Sequence, residues 1–230
     1  MGRRYVVVGC GAVGGLYGAR LIAAGHDVTF VVRSDAEELR THGLQVDSVD
    51  GDIHLSPDSF AVTTAMEHAV VADVVILAVK ATSEVDVRPL LGPATTLAVF
   101  QTGLGVEAAA ERRSPGAGAV VGGLCFVCAS KVGAAHVRHE DYGLVTLALY
   151  RGDLRAAEAI GDDLRGAKVA VDVTPDLTSA RWRKLLWNVP VSGLTALLGV
   201  GTDELLARAS GRALVVSIME EVVAGAQACG

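Results

Sequence analysis

Tyr5-Val-Val-Val-Gly-Cys-Gly-Ala-Val-Gly14 joins a short apolar run to three glycines spaced G-x-G-x-x-G. The run Tyr5 to Val8 reads as a buried parallel strand. A helix is predicted from about Val13 to Ala24, with Gly25 at its C′ position. A strand before the glycines and a helix after them is the context in which this spacing binds a dinucleotide. Gly9 permits the tight turn, Gly11 lets backbone approach a pyrophosphate, and Gly14 lets the helix pack on the strand. The helix N-terminus then offers free N–H groups to the phosphates. Gly9, Cys10, Gly11, Ala12, Val13 and Gly14 are therefore cofactor-binding candidates.

Moving outward, Asp27 to Val32 reads as a second strand, followed by Arg33-Ser34. A site for NAD carries an acid here, which accepts from the ribose hydroxyls. Arg33 can instead pair with a 2′-phosphate and Ser34 can donate to it, which favours NADPH. Asp35 and Glu37 follow closely and leave NAD open. Further strands are expected at 73–79 and 96–100, with a helix over 83–91 between them. From 117 to 150 the pattern is β, with strands at 135–139 and 144–150 and a turn at Glu140 to Gly143. A helix at 154–164 and a strand at 169–173 follow. Beyond Asp176 only helical patterns remain, near 176–188, 190–198, 202–208 and 211–228. The expected fold is α/β: a Rossmann-type dinucleotide-binding domain over 1–174, then a smaller all-helical domain over 175–230 for substrate binding and dimerisation.

Half of the 230 residues are hydrophobic and only 4% are aromatic, so the core rests on aliphatic packing. A net charge of −6 argues against a nucleic-acid partner. The apolar stretch after Arg3-Arg4 is too short for a signal peptide, and no window suits a membrane span. Cys125 and Cys128 have C-x-x-C spacing, but on a strand they point to opposite faces, and no second pair completes a metal site. No metal is expected, and the implied compartment is a reducing cytoplasm.

Gly9 to Gly15, Val79-Lys80, Gln101-Thr-Gly-Leu-Gly105, Arg183-Lys184 with Asn188, and Leu194-Thr-Ala-Leu197 occur in one order along the chain. In these segments the chain resembles the ketopantoate reductase family, which reduces 2-dehydropantoate to pantoate with NADPH. The resemblance implies that Lys184 is the general acid that protonates the developing alkoxide. Lysine suits the role where burial or a neighbouring cation lowers its pKa. Lys184 and Asn188 are four apart and share a helical face, which Ser192 continues if the helix bends past Pro190. The resemblance also places Lys80 beside cofactor and substrate and gives Ala129 a backbone contact to the cofactor.

Three departures from the family stand out. The asparagine that bonds nicotinamide and substrate is replaced by Thr102, which has one donor and a shorter reach. Two substrate-binding asparagines fall at Ser192 and near Thr202. The chain ends at Gly230, where the family continues into helices carrying a substrate-binding serine and a glutamate. The expected form is thus a C-terminally short domain whose apolar helices pair in a homodimer. The leading expectation is an NADPH-dependent reductase of a small 2-oxo acid. A different substrate, a non-redox step such as cyclisation, and a non-catalytic NADP(H)-binding module are the alternatives.

Overall fold

The computed structural model describes residues 2–69 and 71–229. The chain divides into two compact units, Met1–Pro175 and Asp176–Gly230.

In the first unit, β1 (Arg4–Val8) leads through α1 (Ala12–Ala23) to β2 (Asp27–Val31). Gly25, at φ +89°, ends α1 in a Schellman arrangement: its N–H donates to the Ile22 carbonyl and the His26 N–H to that of Leu21. Next come α2 (Ala36–His42), β3 (Leu44–Ser48), β4 (Ile53–Leu55), β5 (Ala61–Thr63), β6 (Val74–Leu77) and β7 (Thr96–Val99). The unit closes with α3 (Val106–Arg113), β8 (Ala119–Gly133), β9 (His136–Arg151), α4 (Leu154–Gly166) and β10 (Val171–Thr174). The described strands form one ten-stranded sheet in the order β4-β3-β9-β8-β7-β6-β1-β2-β5, with β10 also on β9. The segment β5-β2-β1-β6-β7-β8 is parallel throughout and has the strand order of a dinucleotide-binding sheet. Val8 pairs with both Val31 and Leu77, so the carboxyl ends of β1, β2 and β6 lie level at the point where strand order reverses.

Alternation along β1 feeds two cores. Tyr5 and Val7 pack with α1, α4 and the β8–β9 hairpin, while Val6 and Val8 pack with Val87, Leu90 and the α3 residues Val106 and Ala110.

Two local expectations are corrected, and one helix is added. The stretch 83–91 is not a helix; only a 3-10 turn forms, at Arg88–Leu90. Pro89 has no N–H and disfavours helical backbone at Arg88, and the Val87 N–H is taken by Ser114 Oγ at 2.8 Å. Glu140 to Gly143 is not a turn either. The chain runs through it as β9, and the reversal is at Ala134-Ala135. Gly143 and Glu140 are bulge residues skipped in the pairing with β8, and Tyr142 and Gly143 have positive φ. Helix α2 was not expected. Only Ala36 and Leu39 are buried on it, too few to display a period, while acids in its first turn and bases in its last suit the helix dipole.

The second unit contains α5 (Leu177–Trp187), a π-helical turn at Asn188–Ser192, α6 (Gly193–Leu198), α7 (Thr202–Ala207) and α8 (Ala209–Ala228). Asp176 caps α5 by accepting from the Ser179 N–H at 2.9 Å. The π turn absorbs Pro190, which an α-helical hydrogen-bond ladder would not accommodate. Val191, Leu194, Leu205 and Val215 form a small core of this unit.

Candidate functional site

The glycine turn sits at the level carboxyl ends of β1 and β6. Gly9 has φ +98°, and its N–H donates to the Val31 carbonyl at 2.9 Å, which ties the turn to β2. A Cβ at Gly14 would lie 1.9 Å from the Gly9 carbonyl oxygen, so the helix can approach the turn only without a side chain there. Gly11 is the opposite case. A Cβ there would meet nothing within 4 Å, so the turn is open on that side. Gly11 is also the N-cap of α1, with no side-chain cap and no acid in the first turn. The leading N–H groups of α1 are thus available to an anion.

A cavity of about 340 Å³ adjoins this turn and is lined by Gly9, Cys10, Gly11, Arg33, Ser34, Asp35 and Lys131, among others. Arg33 is exposed and makes no hydrogen bond or ion pair among the described residues. The Ser34 hydroxyl donates to Asp35 Oδ1 at 2.8 Å. Asp35 is buried, and its carboxylate also accepts from the Ala135 N–H at 3.3 Å and pairs with Lys131. Burial pushes the Asp35 carboxyl up, but Lys131, Ser34 and the Ala135 N–H outweigh it and hold the group below the usual carboxylate range. Cys10 is buried, and that burial, aided by the Asp35 charge, pushes its thiol up to about 12, so it is a neutral wall and not a nucleophile.

Ala12, Val13 and Gly14 continue from the turn into α1 and are not among the cavity-lining residues. Lys80 and Thr102 are exposed and follow β6 and β7, on the same edge of the parallel sheet as Gly9. Neither lines the cavity at Arg33. The buried Gln101 side chain joins the two strand ends, its amide donating to the carbonyls of Val79 (3.1 Å) and Lys80 (3.3 Å). Ala129 is half-buried in β8, paired with His139 at a bulge and two residues before Lys131. Cys125 is buried and Cys128 exposed, and both are free thiols. Sequence reasoning missed Lys131 and Gln101: the first carried no local signal, and the second was noted only within a family motif.

In the second unit, Lys184 and Asn188 are half-buried one helical turn apart, at the end of α5 and the start of the π turn. Arg181, three residues before Lys184, is buried. Ser192 is exposed at the far end of the π turn, and Thr202 is exposed at the first position of α7. π turns are rare and often mark functional segments.

Comparison with known proteins extends this geometry. A family model described as "Ketopantoate reductase PanE/ApbA" matches residues 5–152, and its partner, "Ketopantoate reductase PanE/ApbA C terminal", matches residues 176–230. The chain is 40% identical to a 2-dehydropantoate 2-reductase of Nostoc sp., over 99% of this chain and 74% of that protein. It is similar to the crystal structure of a 2-dehydropantoate 2-reductase from Geobacter metallireducens, with a TM-score of 0.92 and 37% identity over 99% of this chain and 76% of that one. It also shares its fold, at a TM-score of 0.82 and 20% identity, with a D-mandelate dehydrogenase solved with NADH and anilino(oxo)acetate; the match covers 98% of this chain and 79% of that one.

Proposed function

Since the chain belongs to the ketopantoate reductase family, we propose that it reduces a small 2-oxo acid, with 2-dehydropantoate the first candidate, to the 2-hydroxy acid using NADPH. One observation carries the cofactor reading: a glycine turn open at Gly11 beside a cavity that Arg33 lines without any partner of its own among the described residues. The open turn and the N-terminus of α1 suit a pyrophosphate, and Arg33 suits a 2′-phosphate.

When bound, the nicotinamide supplies the hydride. The remaining work falls to the chain. Residues 1–174 serve as the dinucleotide-binding domain and residues 175–230 as the helical domain for substrate binding and dimerisation. Gly9 to Gly14 hold the pyrophosphate, Arg33 the 2′-phosphate end, where Ser34 reaches the phosphate only by turning its hydroxyl away from Asp35, and the Ala129 backbone makes a further contact. Gln101 holds the Lys80 segment against β7, so that Lys80 and Thr102 orient cofactor and substrate. Lys184 donates the proton to the ketone oxygen as charge develops there, and Asn188, one turn away, contacts the substrate. Ser192 and Thr202 contact the substrate.

A second reading keeps the chemistry and changes the acid. Thr102 stands where the resemblance expects an asparagine, and loss of an amide in such a site alters which substrate is held. The chain works as a homodimer in the cytoplasm. Leu197, Leu198, Leu214, Val216 and Val223 are exposed on α6 and α8 and support a second copy covering them. Four free cysteines suit a reducing compartment, and no described helix is long and apolar enough to cross a membrane.

The test is NADPH binding, followed by absorbance at the reduced-nicotinamide band with ketopantoate added. Binding with oxidation is the expected result. Binding without reduction of any 2-oxo acid would leave a binding module or a non-redox enzyme. Absence of binding would overturn the proposal.

A further inference from the structure

Asp35 is the N-cap residue of α2, yet its carboxylate makes no cap bond to that helix. It turns instead to the tip of the β8–β9 hairpin, where it meets the Lys131 ammonium and the Ala135 N–H, some 100 residues further along the chain. Ser34 completes its shell. An aspartate at the N-cap normally caps its own helix, so the diversion calls for an account. Its place supplies one. Asp35 lies two residues after Arg33 and lines the same cavity. An acid near the end of β2 accepts from the ribose hydroxyls of an NAD-type cofactor and repels a 2′-phosphate.

From this placement we infer that Lys131 is the specificity-determining residue for the phosphorylated cofactor, because it masks the Asp35 carboxylate beside Arg33. With Lys131 in place the acid is neutralised, and Arg33 presents the cavity's unopposed charge to a phosphate. Without it, the same cavity holds an uncompensated carboxylate two residues from Arg33, and the balance moves toward the unphosphorylated cofactor. Arg33 attracts the phosphate, and Lys131 silences the group that would reject it. Lys131 thus acts through Asp35, as a positioning residue.

The inference rests on the NADPH reading above, and its test separates the two. NADPH and NADH dissociation constants are measured by nicotinamide fluorescence for the wild type, Lys131→Met, Lys131→Arg and the double variant Asp35→Asn/Lys131→Met, with thermal melts confirming that each is folded. The wild type should prefer NADPH. In Lys131→Met the ratio of NADPH to NADH affinity should fall about tenfold or more. Lys131→Arg should keep the wild-type ratio, and removal of the Asp35 charge in the double variant should restore it. Rescue is the decisive arm, since a merely structural lysine would weaken both cofactors alike and would not be rescued by Asp35→Asn. A ratio unchanged in Lys131→Met, or a double variant no better than the single one, would overturn the masking role while leaving the cofactor reading intact. A wild type that binds neither cofactor, or prefers NADH, would overturn the cofactor reading and the masking role with it.

Discussion

Gly11 and Gly14 belong to one motif, and the structure gives them separable jobs. Gly11 has extended backbone at φ −88° and ψ −162°, which alanine adopts without strain, and a Cβ there meets nothing within 4 Å. Gly11→Ala should therefore leave unfolding stability within about 1 kcal/mol of wild type, or raise it slightly by restricting the unfolded chain. The added methyl, however, stands in the space through which a phosphate oxygen reaches the N–H groups of the turn, at about 2.9 Å when bonded. Losing one charge-assisted bond of about 1.5–3 kcal/mol weakens NADPH binding about 10- to 150-fold. Gly14→Ala behaves in reverse. Its Cβ falls 1.9 Å from the Gly9 carbonyl oxygen and 3.0 Å from Ala78 Cβ, and the first of these is backbone that cannot swing aside. Overpacking of this kind costs about 1–3 kcal/mol, or a Tm lower by about 2–12 °C for a chain of this size. Calorimetry of the ligand-free proteins and fluorescence titration with NADPH measure both quantities. If Gly11→Ala melts as early as Gly14→Ala, or binds NADPH as tightly as wild type, the division of labour is refuted.

Other outcomes follow from the same geometry. Lys184→Ala should lower kcat about 100-fold or more while NADPH affinity stays within about twofold; steady-state rates with a separate binding titration check this, and an unchanged kcat removes Lys184 from the proton step. Arg33→Asp should shift preference from NADPH toward NADH; equal losses for the two cofactors would show that Arg33 does not read the 2′-phosphate. The folded carboxyl of Asp35 lies below its unfolded value of about 3.9, so its contribution to stability is present above that pH and is lost as pH falls through the lower folded value. Urea midpoints of wild type and Asp35→Asn should therefore lie further apart at pH 6 than near pH 3; a constant gap would mean that the carboxylate gains nothing from its partners.

How far these features can be read in the sequence depends on how local they are. The β1–α1–β2 unit is legible because each of its parts is specified within a few residues: an apolar run, glycines at fixed offsets, and a helix ended by Gly25. The helices after Asp176 are legible for the same reason. The failures fall where a distant partner decides the structure. Glu140 to Gly143 has the composition of a turn because a bulge needs the same positive-φ backbone that a turn needs, and only pairing with β8 distinguishes them. The stretch 83–91 resembles a helix by apolar spacing, but the Val87 N–H finds its partner in Ser114, 27 residues later.

The site divides along the same line. Lys184 and Asn188 are recognisable as a pair because a helix places residues four apart on one face, whatever surrounds it. Arg33 is recognisable because it follows a strand whose end is visible in the sequence. Lys131 is not, because its meaning depends on where a 15-residue strand and a 16-residue strand reverse. With the reversal expected at Glu140 to Gly143, Lys131 has no reason to approach β2. With the reversal at Ala134-Ala135, Lys131 and Ala135 both reach Asp35. The misplaced turn and the missed residue are therefore one error. Asp35, read alone, looks like a remnant of an NAD site, and its side chain becomes intelligible only once the hairpin tip is set beside it. A cofactor preference read from the end of β2 is incomplete until the charges brought there by other strands are counted.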